Sequence, residues 1–180
     1  MSTTYQIRPA LAEDAAGIAM VQVASWNTTY RGILPDALID RISVEDRTKG
    51  WQKIFDAFAQ SGQGGAIVAE QNNRIVGFGS YGLQRDDDLA EQGYDGEVTA
   101  LYLEKEHQRA GVGRALMAEL GKQAQSAGLS KVSLWVITAN TGACLFYDAL
   151  EGRTVATRAD PQGGDMDERA YGWDDLSTLG

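Results

Sequence analysis

The residues most suited to chemistry sit in one short run, Gln108-Arg109-Ala110-Gly111-Val112-Gly113-Arg114, between an apolar β-type stretch and an apolar helical one. A helix start carries free N–H donors and a partial positive charge. Two glycines there let the backbone approach a ligand closely and turn several N–H groups toward one point. Arg109 and Arg114 add positive charge in a chain whose formal net charge is −9. The chemistry this suits is the holding of a phosphate or pyrophosphate. Two familiar phosphate loops are excluded: Arg114-Ala115 stands where a Walker loop needs Lys-Ser/Thr, and Leu116 where a dinucleotide fingerprint needs its third glycine. From the residues alone, a phosphate cradle and a plain helix-start turn both remain open.

Nucleophile chemistry has less to build on. The chain has one cysteine, Cys144, and one histidine, His107. No imidazole partner for Cys144 is evident, so a covalent acyl-cysteine route is not expected. His107 lies in the approach to the loop and reads as solvated. A single cysteine also excludes an intrachain disulfide and a multi-cysteine metal site, and no metal is expected.

The elements that must position the loop follow from periodicity. Residues 5–8 read as a short strand ending at Pro9. Residues 13–23 place Ala15, Ile18 and Val21 on one helix face, which continues near Trp26 and Tyr30. Those two aromatics are four apart and share a face; core packing and an aromatic wall for a ligand both fit. Pro35 opens a short helix. Ser43, with Asp46 three residues on, starts a helix over 44–59. Residues 66–70 and 75–83 form a hairpin around Asn72-Asn73, and 84–94 read as an acidic loop. Residues 98–103 are a strand, 111–127 a helix closed by Gly128, 131–137 a strand and 141–150 a helix. Residues 152–158 and 168–173 are two last strands. The fold class is mixed α/β or α+β in a single domain over 1–180.

Composition narrows the partners. An acidic chain lacks the clustered Lys and Arg of a nucleic-acid surface. Acidic residues gather at 86–88, 91–97 and 165–168; they read as solubilising, or as a mouth that attracts a cationic amine. The apolar runs are too short to span a bilayer, and residues 1–8 do not look like an export signal, so a cytoplasmic setting is expected.

Beyond these readings, the chain resembles the GNAT superfamily of acyltransferases. Gln108-Arg109-Ala110-Gly111-Val112-Gly113 matches its signature between a strand and a helix. Leu101-Tyr102-Leu103 resembles the strand that pairs with the pantetheine arm of the cosubstrate, and Asn140-x-x-Ala143-x-x-Phe146-Tyr147 resembles its second motif. Ser25 to Gly32 resembles a bacterial branch of that superfamily. The resemblance implies a twisted, mostly antiparallel sheet whose central strands, 98–103 and 131–137, splay to admit acetyl-CoA. It implies transfer of an acetyl group to a primary amine by direct attack in a ternary complex. The splay would leave backbone groups of Leu101 and Leu103 unpaired for the pantetheine amides, with a polarising N–H near Tyr102.

By the same resemblance, residues 108–114 with Asn140 and Ala143 hold the cosubstrate. Tyr147 contacts it and protonates the leaving thiolate. Glu97, eleven residues before Gln108, is the candidate general base, acting directly or through water, its affinity for a proton lifted by an apolar cleft; a solvent-facing strand-end carboxylate, with bulk water or backbone carbonyls taking the proton, is the alternative. Trp26 and Tyr30 lie on the acceptor side. Gly152-Arg153 departs from the superfamily's usual Gly-Phe. A non-catalytic acyl-CoA sensor on the same fold is the alternative function, a peptide or protein acceptor is a further reading, and the two C-terminal strands offer an edge to a homodimer.

Overall fold

The computed structural model describes residues 4–160 and 166–179; Asp165 of the last acidic cluster lies outside them. Seven strands form one sheet in the order β1-β2-β3-β4-β5-β7-β6. They are β1 (Gln6–Pro9), β2 (Gly65–Gln71), β3 (Arg74–Leu83), β4 (Gly96–Leu103), β5 (Val132–Ile137), β6 (Arg153–Arg158) and β7 (Glu168–Trp173). Every neighbouring pair is antiparallel except β4 with β5. The helices are α1 (Ala15–Thr29), α2 (Asp36–Ile39), α3 (Val44–Ser61), α4 (Asp87–Glu91), α5 (Val112–Ser126) and α6 (Thr141–Ala149).

Local chemistry explains the boundaries. The Ser43 hydroxyl accepts from the Asp46 N–H at 3.0 Å and starts α3, which ends at Gly62 in the left-handed region. Asn72 and Asn73 both take positive φ (52° and 59°), the turn that matches strand twist in a two-residue hairpin. The first helix continues past Val23 to Thr29, as expected, with Ser25 buried on its inward side. One expectation changes. The acidic segment 84–94 contains α4, whose N-cap Asp86 accepts from the Leu89 N–H at 3.1 Å while Leu89 is fully buried.

The sheet separates two cores. On one face α5 packs Leu116, Met117 and Leu120 against Ile67, Val76, Val98 and Leu134. It sits so close that a Cβ on Gly79 would lie 2.7 Å from Leu120. On the other face α1 and α3 bury Ile18, Val21 and Trp51 against Val68 and Phe78. The strand alternation of β4 therefore sends Leu101 and Leu103 toward α5, and Ala100 and Tyr102 toward α1 and α3. Among the described residues no helix is long and apolar enough to cross a membrane.

Candidate active site

β4 and β5 pair at two positions only, Gly96 with Val132 and Glu97 with Ser133. Beyond them the strands part, while β4 stays paired to β3 through Leu103 and β5 to β7 through Ile137. A wedge therefore opens at the middle of the sheet, with backbone groups of β4 along one side. Gln84 fastens its apex: its Nε2 donates to Ser133 Oγ at 2.6 Å and to the Gly96 carbonyl at 3.2 Å. One expectation is corrected here. The Leu103 carbonyl is not left without a partner; it accepts from Gln108 Nε2 at 3.2 Å and from Ser25 Oγ at 3.4 Å. Leu101 lies past the last β4–β5 pair, as the splay requires.

The loop closes the open end of the wedge. Arg109 and Gly111 take positive φ (60° and 82°), which turns the chain sharply into α5. The N–H of Ala115 makes the helix's first bond, to the Gly111 carbonyl at 3.0 Å. The N–H groups of Val112, Gly113 and Arg114 thus have no partner within the helix. Gln108, Arg109, Ala110 and Gly111 are exposed and Val112 is buried, so the backbone there is accessible to a ligand and firmly seated behind. This arrangement fits a pyrophosphate. Arg114 does a different job: its Nη2 donates to the Ala149 carbonyl at 3.2 Å, tying α5 to α6. Gly113 faces Phe146, whose ring a Cβ would touch at 3.3 Å.

α6 brings the phenols. The Asn140 side chain accepts from the Ala143 N–H at 3.2 Å, so it caps α6; it also interacts with the Tyr30 hydroxyl. Ala143 packs against the buried core of the α5 face. Trp26 and Tyr30 lie ring to ring at 5.0 Å, and Trp26 Nε1 donates to the Tyr102 hydroxyl at 3.2 Å. Tyr147 is buried, and its phenol senses those of Tyr30 and Tyr102. The structure thus gathers Trp26, Tyr30, Tyr102, Asn140 and Tyr147 into one cluster. Burial, first of all, pushes the Tyr30, Tyr102 and Tyr147 phenols up. All three stay protonated through the neutral range and so keep a proton available to donate. The Tyr102 side chain was not singled out in the sequence; strand alternation, which turns it away from Leu101 and Leu103, is the signal that could have found it.

Glu97 is buried at the apex of the wedge, 6% exposed. The expected apolar cleft around it is absent. Arg85 grips both oxygens, Nε to Oε2 at 2.9 Å and Nη2 to Oε1 at 2.8 Å. The hydrogen bonds to Glu97 hold the Arg85 guanidinium firmly charged. Beside this pair a groove of ≈490 Å³ runs between α3 and the β3–β4 surface, reaching Tyr102 and Arg85. Trp26 and Tyr30 are not among its walls; they back onto Tyr102 instead.

His107 is not solvated as expected. Its Nδ1 lies 3.1 Å from the Tyr5 hydroxyl and its Nε2 3.6 Å from Glu104. Cys144 is buried, with its thiol 3.9 Å from the Thr138 carbonyl. Arg153, where the superfamily favours an aromatic, turns outward to Asp174 at 2.7 Å. Among the described residues no group of three metal-ligating side chains occurs.

Comparison with known proteins agrees with this geometry. The model of the acetyltransferase (GNAT) family matches residues 25–151. The uncharacterized N-acetyltransferase YuaI of Bacillus subtilis (strain 168) is 34% identical over 174 residues, covering 96% of this chain and 95% of that protein. Among solved structures, the PaiA N-acetyltransferase of Thermoplasma acidophilum in complex with coenzyme A superposes with a TM-score of 0.75 at 20% identity, over 95% of this chain and 99% of that one. The yncA protein of Salmonella typhimurium with its cofactor acetyl-CoA gives 0.69 at 20% identity, over 94% and 93%. With the family model spanning the wedge, the loop and α6, this chain belongs to the GNAT family of acetyltransferases.

Proposed function

We propose that the protein transfers the acetyl group of acetyl-CoA to a primary amine by direct attack in a ternary complex. The observation that carries this reading is the parting of β4 from β5 after Glu97, in a GNAT chain, with a helix N-terminus and a cluster of buried phenols bordering the wedge. Acetyl-CoA is the cosubstrate; relatives of the same fold were solved with coenzyme A and acetyl-CoA.

In this reading the free N–H groups of Val112, Gly113 and Arg114, with Gln108, Arg109, Ala110 and Gly111 around them, hold the pyrophosphate. The backbone of Leu101, Tyr102 and Leu103 meets the pantetheine amides as an added strand would; Gln108 and Ser25 yield the Leu103 carbonyl or share it. Asn140 fixes the start of α6, and Ala143 lies one turn before Tyr147. Tyr147 donates its proton toward the departing sulfur. Glu97 takes the proton of the amine, directly or through water, from within its contact with Arg85. Trp26 and Tyr30 set the Tyr102 and Tyr147 hydroxyls at the acceptor end. A cytoplasmic setting suits the buried free thiol of Cys144, and β6, as an edge strand, offers a homodimer a pairing surface.

Thiol release from acetyl-CoA, measured with a broad panel of primary amines, tests the reading. Amine-dependent release supports it. Coenzyme A binding by calorimetry with no release for any amine would overturn it in favour of a sensor.

A further inference from the structure

The chain's net charge of −9 suggests a cationic acceptor. The groove beside Glu97 suggests the opposite. None of its lining residues is acidic, and two are arginines, Arg47 and Arg85. The carboxylate of Glu97 stands behind Arg85, which engages both its oxygens. That contact uses Arg85 Nε and Nη2, so its Nη1 makes no bond to Glu97. Arg47, in the first turn of α3, makes no ion pair with a described residue, and its charge is felt at the Tyr102 phenol. The groove therefore holds one neutralised guanidinium and one uncompensated guanidinium. A second cation entering it would be repelled; a carboxylate would be attracted and could be met by paired N–H donors. Trp51, Ile54 and Phe58 of α3 give the groove an apolar, aromatic stretch, and Gln22, Ser61 and Gln63 complete that side with neutral polar groups. Ser80 and Thr99, hydroxyl to hydroxyl at 2.6 Å, add a small polar patch on the sheet side.

We propose that the acceptor is an amine that itself carries a carboxylate on an apolar body, an apolar amino acid, with the carboxylate held by Arg47 and the free edge of Arg85. This rests on the acetyltransfer reading above for the amine end of the molecule. The groove's Tyr102 wall is the link to that end, since Tyr102 belongs to the same phenol cluster as Tyr147.

The test compares leucine, methionine and phenylalanine with their carboxamides, which keep the amine and the body but lose the negative charge. Thiol release from acetyl-CoA gives kcat/KM, and calorimetry on the coenzyme A-saturated protein gives affinity. At least one acid is expected to exceed its amide by about tenfold or more, the scale of one charge-assisted contact. Arg47→Gln should bring that acid-to-amide ratio toward one. Equal use of acid and amide, or an unchanged ratio in Arg47→Gln, overturns the proposal while leaving acetyl transfer intact. An acid that binds in preference to its amide but is never acetylated leaves the groove assignment standing and overturns the transfer reading. Binding and turnover of none of the acids overturns the proposal.

Discussion

Tyr147→Phe separates chemistry from packing, because the proposed mechanism uses the hydroxyl while the structure shows the ring packed. The ring lies 5.3 Å from Phe146, 5.5 Å from Tyr171 and 6.1 Å from Trp173, and phenylalanine keeps every one of these contacts. The hydroxyl interacts with the Tyr30 and Tyr102 phenols only through their field, so its loss should change stability by no more than about 0.5 kcal/mol. If it protonates the leaving sulfur, kcat should fall by about a hundredfold, the lower range for a positioned acid. Tyr171→Phe is the matched control. Its hydroxyl donates to Asp148 at 2.9 Å, with the Cys144 carbonyl 3.3 Å away. Losing that bond should cost about 1 kcal/mol, a drop in Tm of about 2–4 °C for a chain of this length. Calorimetric melting and single-turnover thiol release on the two variants give the comparison. Tyr147→Phe with wild-type kcat under rate-limiting chemistry, or with the melting loss of Tyr171→Phe, would refute the assignment.

Three further outcomes follow from other parts of the molecule. Gly111→Asp forces a side chain onto a φ of 82° and places a carboxylate where the loop's N–H groups converge; coenzyme A binding by calorimetry should disappear, and retained affinity would remove the loop from the cosubstrate site. Glu97→Gln should lower kcat by about a hundredfold. Wild-type kcat in the variant, with chemistry rate-limiting, would count against Glu97. Asp14→Asn tests the fold far from the site. Arg8 holds the Asp14 carboxyl below its ordinary 3.8, against an opposing effect of burial. The contact stabilises the fold above the ordinary carboxylate value and is lost as pH falls through the lowered one. The variant should therefore lose about 2 kcal/mol at neutral pH, and melts taken at decreasing pH should show the gap closing.

How much of this was legible in the sequence depends on how local each signal is. The loop's turn is written in residues 109–113, and the start of α3 in Ser43 and Asp46, because each rests on bonds within a few residues. The wedge is not local. It needs β4 to leave β5 after two pairs, which no periodicity records, and only the likeness of three motifs to one family pointed there. Trp26 and Tyr30 share a face, as their spacing requires, but their common partner is Tyr102, 76 residues beyond Trp26. The misreading at Leu103 has the same origin: the strand pattern says where its carbonyl points, and only the folded chain brings Gln108 and Ser25 to it. Arg85 was missed because 84–94 read as solvated loop. Its clue was the hairpin register, since Leu83 pairs with Gly96 and any residue just past Leu83 returns beside the start of β4.

That register also changes what Glu97 means. Resemblance in spacing from the loop is what proposes it as the base, and it is buried at the start of β4. A carboxylate gripped at both oxygens, however, has a second use: it orients a guanidinium. The two uses make different demands on the acceptor. A base serves every amine, so Glu97→Gln should slow an amino acid and its carboxamide alike. An anchor serves the carboxylate, so the same variant should slow the acid and leave the amide nearly unchanged, matching Arg47→Gln. Both effects together, a general slowing with a further loss confined to the acid, would mean that one ion pair joins the acceptor's two ends: its Glu97 half toward the amine and its Arg85 half toward the carboxylate. The compactness of the groove, with Arg85 in its wall and Glu97 directly behind, is what makes that joint role physically available.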